Sequence, residues 1–180
     1  MKRVLTILFV LSFIKISAQE FNKEVTTENG NTFLIGQINL EGLQSQPYAS
    51  WLQSGFDNYK VDETLTTLLK EKLADYQIKL FLGTWCGDSK RETPRLIKIL
   101  EATDFPVQQL EIIALDYRKG HYKTSPTGEE KGLNIIKVPT IIFFKDGKEV
   151  NRIVESPLES LEEDMAQIIF QKGYTPNYAY

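Results

Sequence analysis

Apolar positions recur along the chain with periods that change from segment to segment. Thr32 to Leu40 carries Phe33, Ile35 and Ile38 and reads as a strand, irregular at Gly36. The run before it, from Glu20 to Asn31, is polar and closes on a turn-like Glu28-Asn29-Gly30-Asn31. Glu41 to Pro47 reads as loop. Tyr48, Trp51, Leu52 and Phe56 then recur at helical spacing, which predicts a helix over residues 48–59 with one apolar face. Trp51 is assigned to packing on that face, since aromatic stripes of this kind generally serve a core. Asp62 is the predicted N-cap of a second helix, in which Leu65, Leu68, Leu69 and Leu73 form the apolar stripe up to about Ala74.

Ile78 to Leu82 reads as a short, mostly apolar strand. A Gly83-Thr84-Trp85 turn follows, then Cys86, and then a helix whose Leu96, Ile97 and Leu100 share a face. That helix is expected to reach Ala102 and to bend at Pro94, which removes one backbone hydrogen bond. Leu110 to Leu115 is apolar almost throughout, as in a strand buried on both faces. Residues 117–128 read as a polar loop, and Glu129 to Ile135 as a short helix. Thr140 to Phe144 reads as a strand that turns at Asp146-Gly147 into a partner over Glu149 to Val154. Ser156, with Pro157 after it and Glu159 three residues on, is the expected start of a last helix lined by Leu158, Leu161, Met165, Ile168 and Ile169. Helices alternating with strands, closed by a hairpin, predict an α/β fold with a central mixed sheet flanked by helices. There is no internal repeat and no low-complexity tract.

Composition adds a processing expectation. Met1-Lys2-Arg3 is basic, Val4 to Ile14 is apolar but for Thr6 and Ser12, and Ile16-Ser17-Ala18 presents small residues before Gln19. This is the layout of a secretory signal peptide over residues 1–18, with an apolar segment too short to span a membrane comfortably. The expected location is therefore exported, periplasmic or secreted, with no transmembrane span in the mature chain. Removing Lys2, Arg3 and Lys15 from the 21 basic side chains leaves 18 against 24 acidic ones. An acidic chain without a basic field gives no reason to expect a nucleic-acid partner. Residues 19–60 are read as an N-terminal extension and 61–180 as the main domain.

The chain has one cysteine. A lone thiol in an oxidising compartment forms no internal disulfide, so it is either inert, paired with another molecule or reactive. Cys86 stands where a strand gives way to a helix, and unpaired N–H groups with the positive end of the helix dipole favour a thiolate there. Lys90 and Arg91 add positive charge; Asp88 opposes it. The hydroxyl of Ser89 is expected to donate to the Cys86 sulfur. One cysteine and one histidine, His121, make no convincing metal set, and no cofactor is expected.

Trp85-Cys86-Gly87-Asp88-Ser89 resembles the Trp-Cys-Gly-Pro-Cys of the thioredoxin family. Pro94, eight residues after Cys86, matches the family's helix-kinking proline, and Val138-Pro139-Thr140 before Lys145-Asp146-Gly147-Lys148 is similar to its cis-proline motif and hairpin. The resemblance covers residues 61–172. It implies a thioredoxin-like three-layer fold. It also implies Cys86 as nucleophile beside Ser89, with Trp85 shielding the sulfur and a cis Pro139 facing it. Val138 and Thr140 would complete an edge for an extended substrate. The chain departs from the family at Asp88, at Ser89, which replaces the resolving cysteine, and at Leu80, where many members keep a buried acid. The stretch from Cys86 to Pro139 is also longer. A single thiol can open a disulfide and form a mixed disulfide, but an external thiol must release it.

Three readings stay open at this point: a monothiol exchange enzyme of the cell envelope, a non-enzymatic module that captures clients or peptides, and a redox-inactive relative with a structural cysteine. The partners expected are a protein client bearing a disulfide or thiol, or a small thiol, with a Cys86-linked dimer as a further form. Arg118, Lys119, His121 and Lys123 either border the site and select acidic clients, or simply form a solvated loop.

Overall fold

The computed structural model describes residues 21–179; the signal-peptide reading of 1–18 lies outside them. Six strands form one sheet in the order β1-β2-β4-β3-β5-β6. β3 (Gln77–Leu82) and β4 (Leu110–Ala114) run parallel at its centre, with Leu80 opposite Ile112. β5 (Thr140–Lys145) pairs antiparallel with β3 and with β6 (Lys148–Val154). On the other side β2 (Thr32–Ile38) pairs antiparallel with β4, and β1 (Lys23–Thr26) with β2. Both strands of the extension, β1 and β2, thus belong to the same sheet as the thiol-bearing unit.

The alternation of side chains along each strand builds two apolar layers. Ile78, Leu80, Leu82, Ile112, Ala114, Ile141 and Phe143 face the helices. Those helices are α2 (Ala49–Asn58), α3 (Glu63–Lys70), α4 (Gly87–Ala102) and α5 (Leu161–Ile169), after a single turn α1 (Leu40–Leu43). Phe81, Ile113 and Ile142 face the opposite way and pack with Leu115, Val138, Leu133 and Ile135, which come from the long β4–β5 connection. The central mixed sheet flanked by helices is as expected. Trp51 packs against the main core from α2.

Four local differences have identifiable causes. β1 is only four residues long and mostly exposed, so no alternation marks it; Lys23 and Glu24 suit an edge strand. α3 is capped by Asp62, whose carboxylate accepts from Thr64 and Leu65 N–H, but it ends at Lys70 and a separate 3-10 turn covers Leu73–Asp75. Residues 129–135 are turns rather than a helix. Gly128, Gly132 and Asn134 all adopt positive φ there, which interrupts helical continuation. α5 starts after Ser160, not Ser156. Ser160 Oγ accepts from Glu163 N–H, while the buried Asp164 carboxylate accepts from the N–H groups of Leu158 and Glu159 and holds them out of the helix.

Candidate active site

The thiol sits at the N-cap of α4, the longest helix among the described residues. Cys86 is extended (φ −89°, ψ 131°), and its carbonyl accepts the first helical bond, from Lys90 N–H, at 3.0 Å. The turn before it is closed by Cys86 N–H donating to Gly83 O at 2.8 Å. Glycine at 83 is required by close approach: a Cβ there would lie 2.6 Å from Trp85 Cε2, so the indole lies directly over that backbone. The indole Nε1–H donates to Leu115 O at 2.8 Å, which fixes the ring against the end of β4.

Cys86 is half-buried and joins the apolar cluster of Val138, Leu133 and Ile135. Its Sγ donates to the Val138 carbonyl at 3.3 Å. The Val138–Pro139 peptide bond is cis. Among the described residues no acceptor is found for the Val138 N–H. Thr140 is buried and its hydroxyl donates to Lys137 O at 2.8 Å, bracing the same segment. The structure therefore brings Trp85, Cys86, Val138 and Pro139 together, with Thr140 supporting them from below.

Ser89 behaves differently from the expectation. It is fully buried, and its Oγ accepts from Gly83 N–H at 3.1 Å; no hydrogen bond joins it to the Cys86 sulfur. The N–H at the end of β3 has no ladder partner at this point, and the nearest acceptor is the first turn of α4. Asp88 forms an ion pair with Arg91 at 2.8 Å, and Arg91 also reaches Glu92 at 2.6 Å. The hydrogen bond and charge of Glu92, and after them those of Asp88, raise the Arg91 pKa above its usual value despite some burial. The Asp88 charge is thus partly matched by a cation on its own helix. Leu80, at the position of the absent acid, is buried in the main core.

Two features of the site escaped sequence reasoning. Thr84 is buried, and its Oγ1 accepts from Leu34 N–H at 3.1 Å, so β2 of the extension is bonded directly to the thiol turn. In the β4–β5 connection, Tyr117 and Tyr122 pack on Trp85 with ring centroids 5.4 and 6.1 Å away. Two aromatic residues in an otherwise basic loop were the available signal. Of the basic residues expected at the site's border, Arg118 is turned onto the Asp116 carboxylate, Nη2 to Oδ2 at 2.6 Å, and Lys123 Nζ onto Ile136 O; Lys119 and His121 are exposed. Burial raises the Asp116 carboxyl, but the hydrogen bonds and charge of Arg118 outweigh this and hold it below the ordinary carboxylate range.

A mixed α/β sheet that presents a thiol at a helix N-terminus, opposite an X-Pro loop and under a tryptophan, defines a thioredoxin-fold protein with one cysteine at that turn. The chain belongs to the thioredoxin family: it is 33% identical over 88 residues to thioredoxin of Staphylococcus aureus, covering 48% of this chain and 76% of that one. It is also 36% identical over 76 residues to thioredoxin of Mycobacterium tuberculosis and 38% identical over 74 residues to that of Chlamydia muridarum. Those two matches cover 41% of this chain, and the chain spans 56% and 63% of the two relatives. No family model matches the sequence. Among the described residues no helix is long and apolar enough to cross a membrane.

Proposed function

We propose that the protein is a thiol–disulfide exchange protein of the cell envelope in which Cys86 acts as the lone nucleophile and an external thiol resolves the product. The observation that carries the reading is the facing pair of Cys86 Sγ and the Val138 backbone, 3.3 Å apart at the carbonyl. The thiolate attacks a client disulfide and forms a Cys86–client bond while the second client sulfur leaves with the electron pair. An added thiol then attacks the mixed disulfide and restores Cys86. The cis Val138–Pro139 bond and the unbonded Val138 N–H support an edge on which an extended client backbone docks, with Trp85 covering the sulfur. Ser89 serves the site as a strut rather than as an acid or nucleophile. The basic-apolar-small layout of residues 1–18 supports the export part of this reading.

A second reading, stable capture of clients, is favoured by one observation: the position where a resolving group would stand is a fully buried serine bonded to Gly83. A turnover assay separates the two. Reduction or reshuffling of a model protein disulfide with a small thiol supplied is expected to be catalytic and lost in Cys86→Ala. A mixed disulfide that accumulates without turnover selects capture, and a Cys86 that resists alkylation in the folded protein refutes both. A non-reducing gel of the same samples reports any Cys86-linked dimer.

A further inference from the structure

The β4–β5 connection projects a compact lobe beside the thiol. Asp116 N–H bonds to Thr124 O and Lys123 N–H to Asp116 O, at 2.9 and 2.8 Å, and His121 and Thr124 N–H groups close turns inside it. The lobe is thus a hydrogen-bonded unit, not a loose tip. It presents Tyr117 and Tyr122 to Trp85, and Phe33 of β2 backs Tyr117 at 4.7 Å. Tyr122 remains 59% exposed, which makes it one of the most exposed large apolar side chains among the described residues. Lys123 spans from the lobe to Ile136 O, two residues before Val138, with its ammonium 4.8 Å from the Tyr122 ring centroid. The aromatic shelf is therefore continuous with the thiol through Trp85 and with the Val138 edge through Lys123.

Charge narrows what the shelf takes. Residues 117–124 carry Arg118, Lys119 and Lys123 and no carboxylate, in a chain whose net charge is −3. Arg118 is matched by Asp116, whereas Lys119 is exposed and makes no ion pair among the described residues. The geometry points to a client-selecting role for this lobe. It takes an extended peptide segment with an aromatic or large apolar side chain next to its reacting cysteine and an acidic residue beyond. This rests on Cys86 as the exchange nucleophile. A side chain flanking the client sulfur lies against Trp85 and Tyr122 while the client backbone runs along Val138, and its acid reaches Lys119. The lobe's internal bonds mean that little ordering is lost on binding.

The test uses short synthetic peptides whose single cysteine is capped as a mixed disulfide with thionitrobenzoate. The Cys86 thiolate attacks the peptide sulfur, the Cys86–peptide bond forms, and the bond to thionitrobenzoate breaks. The electron pair leaves on the coloured thiolate and the Cys86 proton goes to solvent. Three peptides are compared: one with Trp beside the cysteine and Asp beyond, one with Ser for Trp, and one with Lys for Asp. The Trp peptide is expected to react about fivefold faster than the Ser peptide, the size of one aromatic stacking contact. That ratio should drop clearly in Tyr122→Ser, where only Trp85 is left to receive the side chain, and persist in Tyr122→Phe. Taking the ratio within each variant removes any change in the thiol itself. The Asp peptide should outpace the Lys peptide at low salt, with the gap closing as salt rises and inverting in Lys119→Glu. A Trp-to-Ser ratio unchanged by Tyr122→Ser, or a peptide ranking insensitive to salt, overturns the assignment while leaving exchange intact. Failure of the small dithiobis-nitrobenzoate reagent itself to react with Cys86 overturns the exchange reading, and the selection with it.

Discussion

Replacing Gly55 by alanine sets two effects of known sign against each other. Gly55 lies inside α2, and an alanine in an exposed helix interior is favoured over glycine by about 1 kcal/mol. Here, however, the added methyl carbon would fall 2.4 Å from Pro94 Cγ and 3.0 Å from Pro94 Cβ. Pro94 is buried in α4, and its ring is closed onto the backbone, so it has no rotamer to retreat into. Ordinary contact would require the two helices to part by about 1 Å, which loosens Leu52 and Trp51 against the core. Overpacking of this kind costs about 1–3 kcal/mol. Against a ring that cannot turn away, a 2.4 Å approach belongs in the upper part of that range, about 2–3 kcal/mol, so the clash outweighs the propensity gain and Gly55→Ala should be destabilised by about 1–2 kcal/mol. Urea unfolding followed by tryptophan fluorescence should show a midpoint lower by roughly 0.5–1 M with an unchanged slope. Ser54→Ala, on the exposed side of the same helix, gains helix propensity and loses only a long 3.5 Å bond from Asn58 Nδ2, so it should leave the midpoint unchanged or slightly raised. A Gly55→Ala midpoint that rises with it would refute the close crossing of α2 on the thiol-bearing helix.

Four further substitutions test the struts of the site and the lobe beside it. Thr84→Val keeps the shape but leaves the Leu34 N–H without its acceptor, which should cost about 1–3 kcal/mol and speed hydrogen exchange at Leu34; exchange as slow as in the wild type would refute the bond. Ser89→Ala should cost a similar amount through Gly83 N–H. Ser89→Cys should lose both free thiols on mild oxidation without forming a dimer, whereas a dimer alone would show that the two positions do not face each other. Asp116 is depressed in the folded protein, so its contribution to stability is fully present above the ordinary carboxylate range and is lost as pH falls through its lowered value. Asp116→Asn should accordingly be less stable at pH 7 and should flatten the acid limb of a melting-temperature profile below about pH 4; parallel limbs would refute the linkage.

Much of the fold was legible because burial imposes a period. Ile78, Leu80 and Leu82 on one face with Phe81 on the other leave few alternatives to a central strand, and Asp62 marked the start of α3 by its side-chain chemistry alone. What escaped depends on contacts distant in sequence. β1 has no apolar alternation because it is held by pairing with β2. Residues 129–135 have helix-forming composition, but Ser125 and Thr127 bind the Glu129 side chain and three positive-φ residues break the path. Ser89 was legible as a neighbour of the thiol and not as a strut, because the unpaired N–H of Gly83 exists only once β3 and α4 are in place. Tyr122 was visible as a residue, yet only the lobe's closure by Asp116 brings it over Trp85.

On the proposed exchange reaction, the same struts constrain how a bound client can be released. Thr84 ties the thiol turn to β2, Ser89 ties it to α4, and Trp85 Nε1 ties it to the end of β4. Each bond is about 3 Å long and at least partly buried, and the three anchor points lie on different elements, so the turn does not follow the sulfur when Cys86 becomes covalently engaged. One flank of Cys86 is closed by the apolar cluster of Val138, Leu133 and Ile135, and another by Trp85 with Tyr117 and Tyr122 packed on its ring. What remains for an incoming thiol is the exposed part of the half-buried sulfur, beside the Val138 edge. A client that fills that edge also screens the path of its own resolver. Bulky resolving thiols should therefore act more slowly than small ones on a protein–Cys86 disulfide, but no more slowly on a Cys86 adduct with a small thiol. Release rates with a small thiol and with a reduced thioredoxin as resolver measure this directly, and equal selectivity on both adducts would show that the path lies elsewhere.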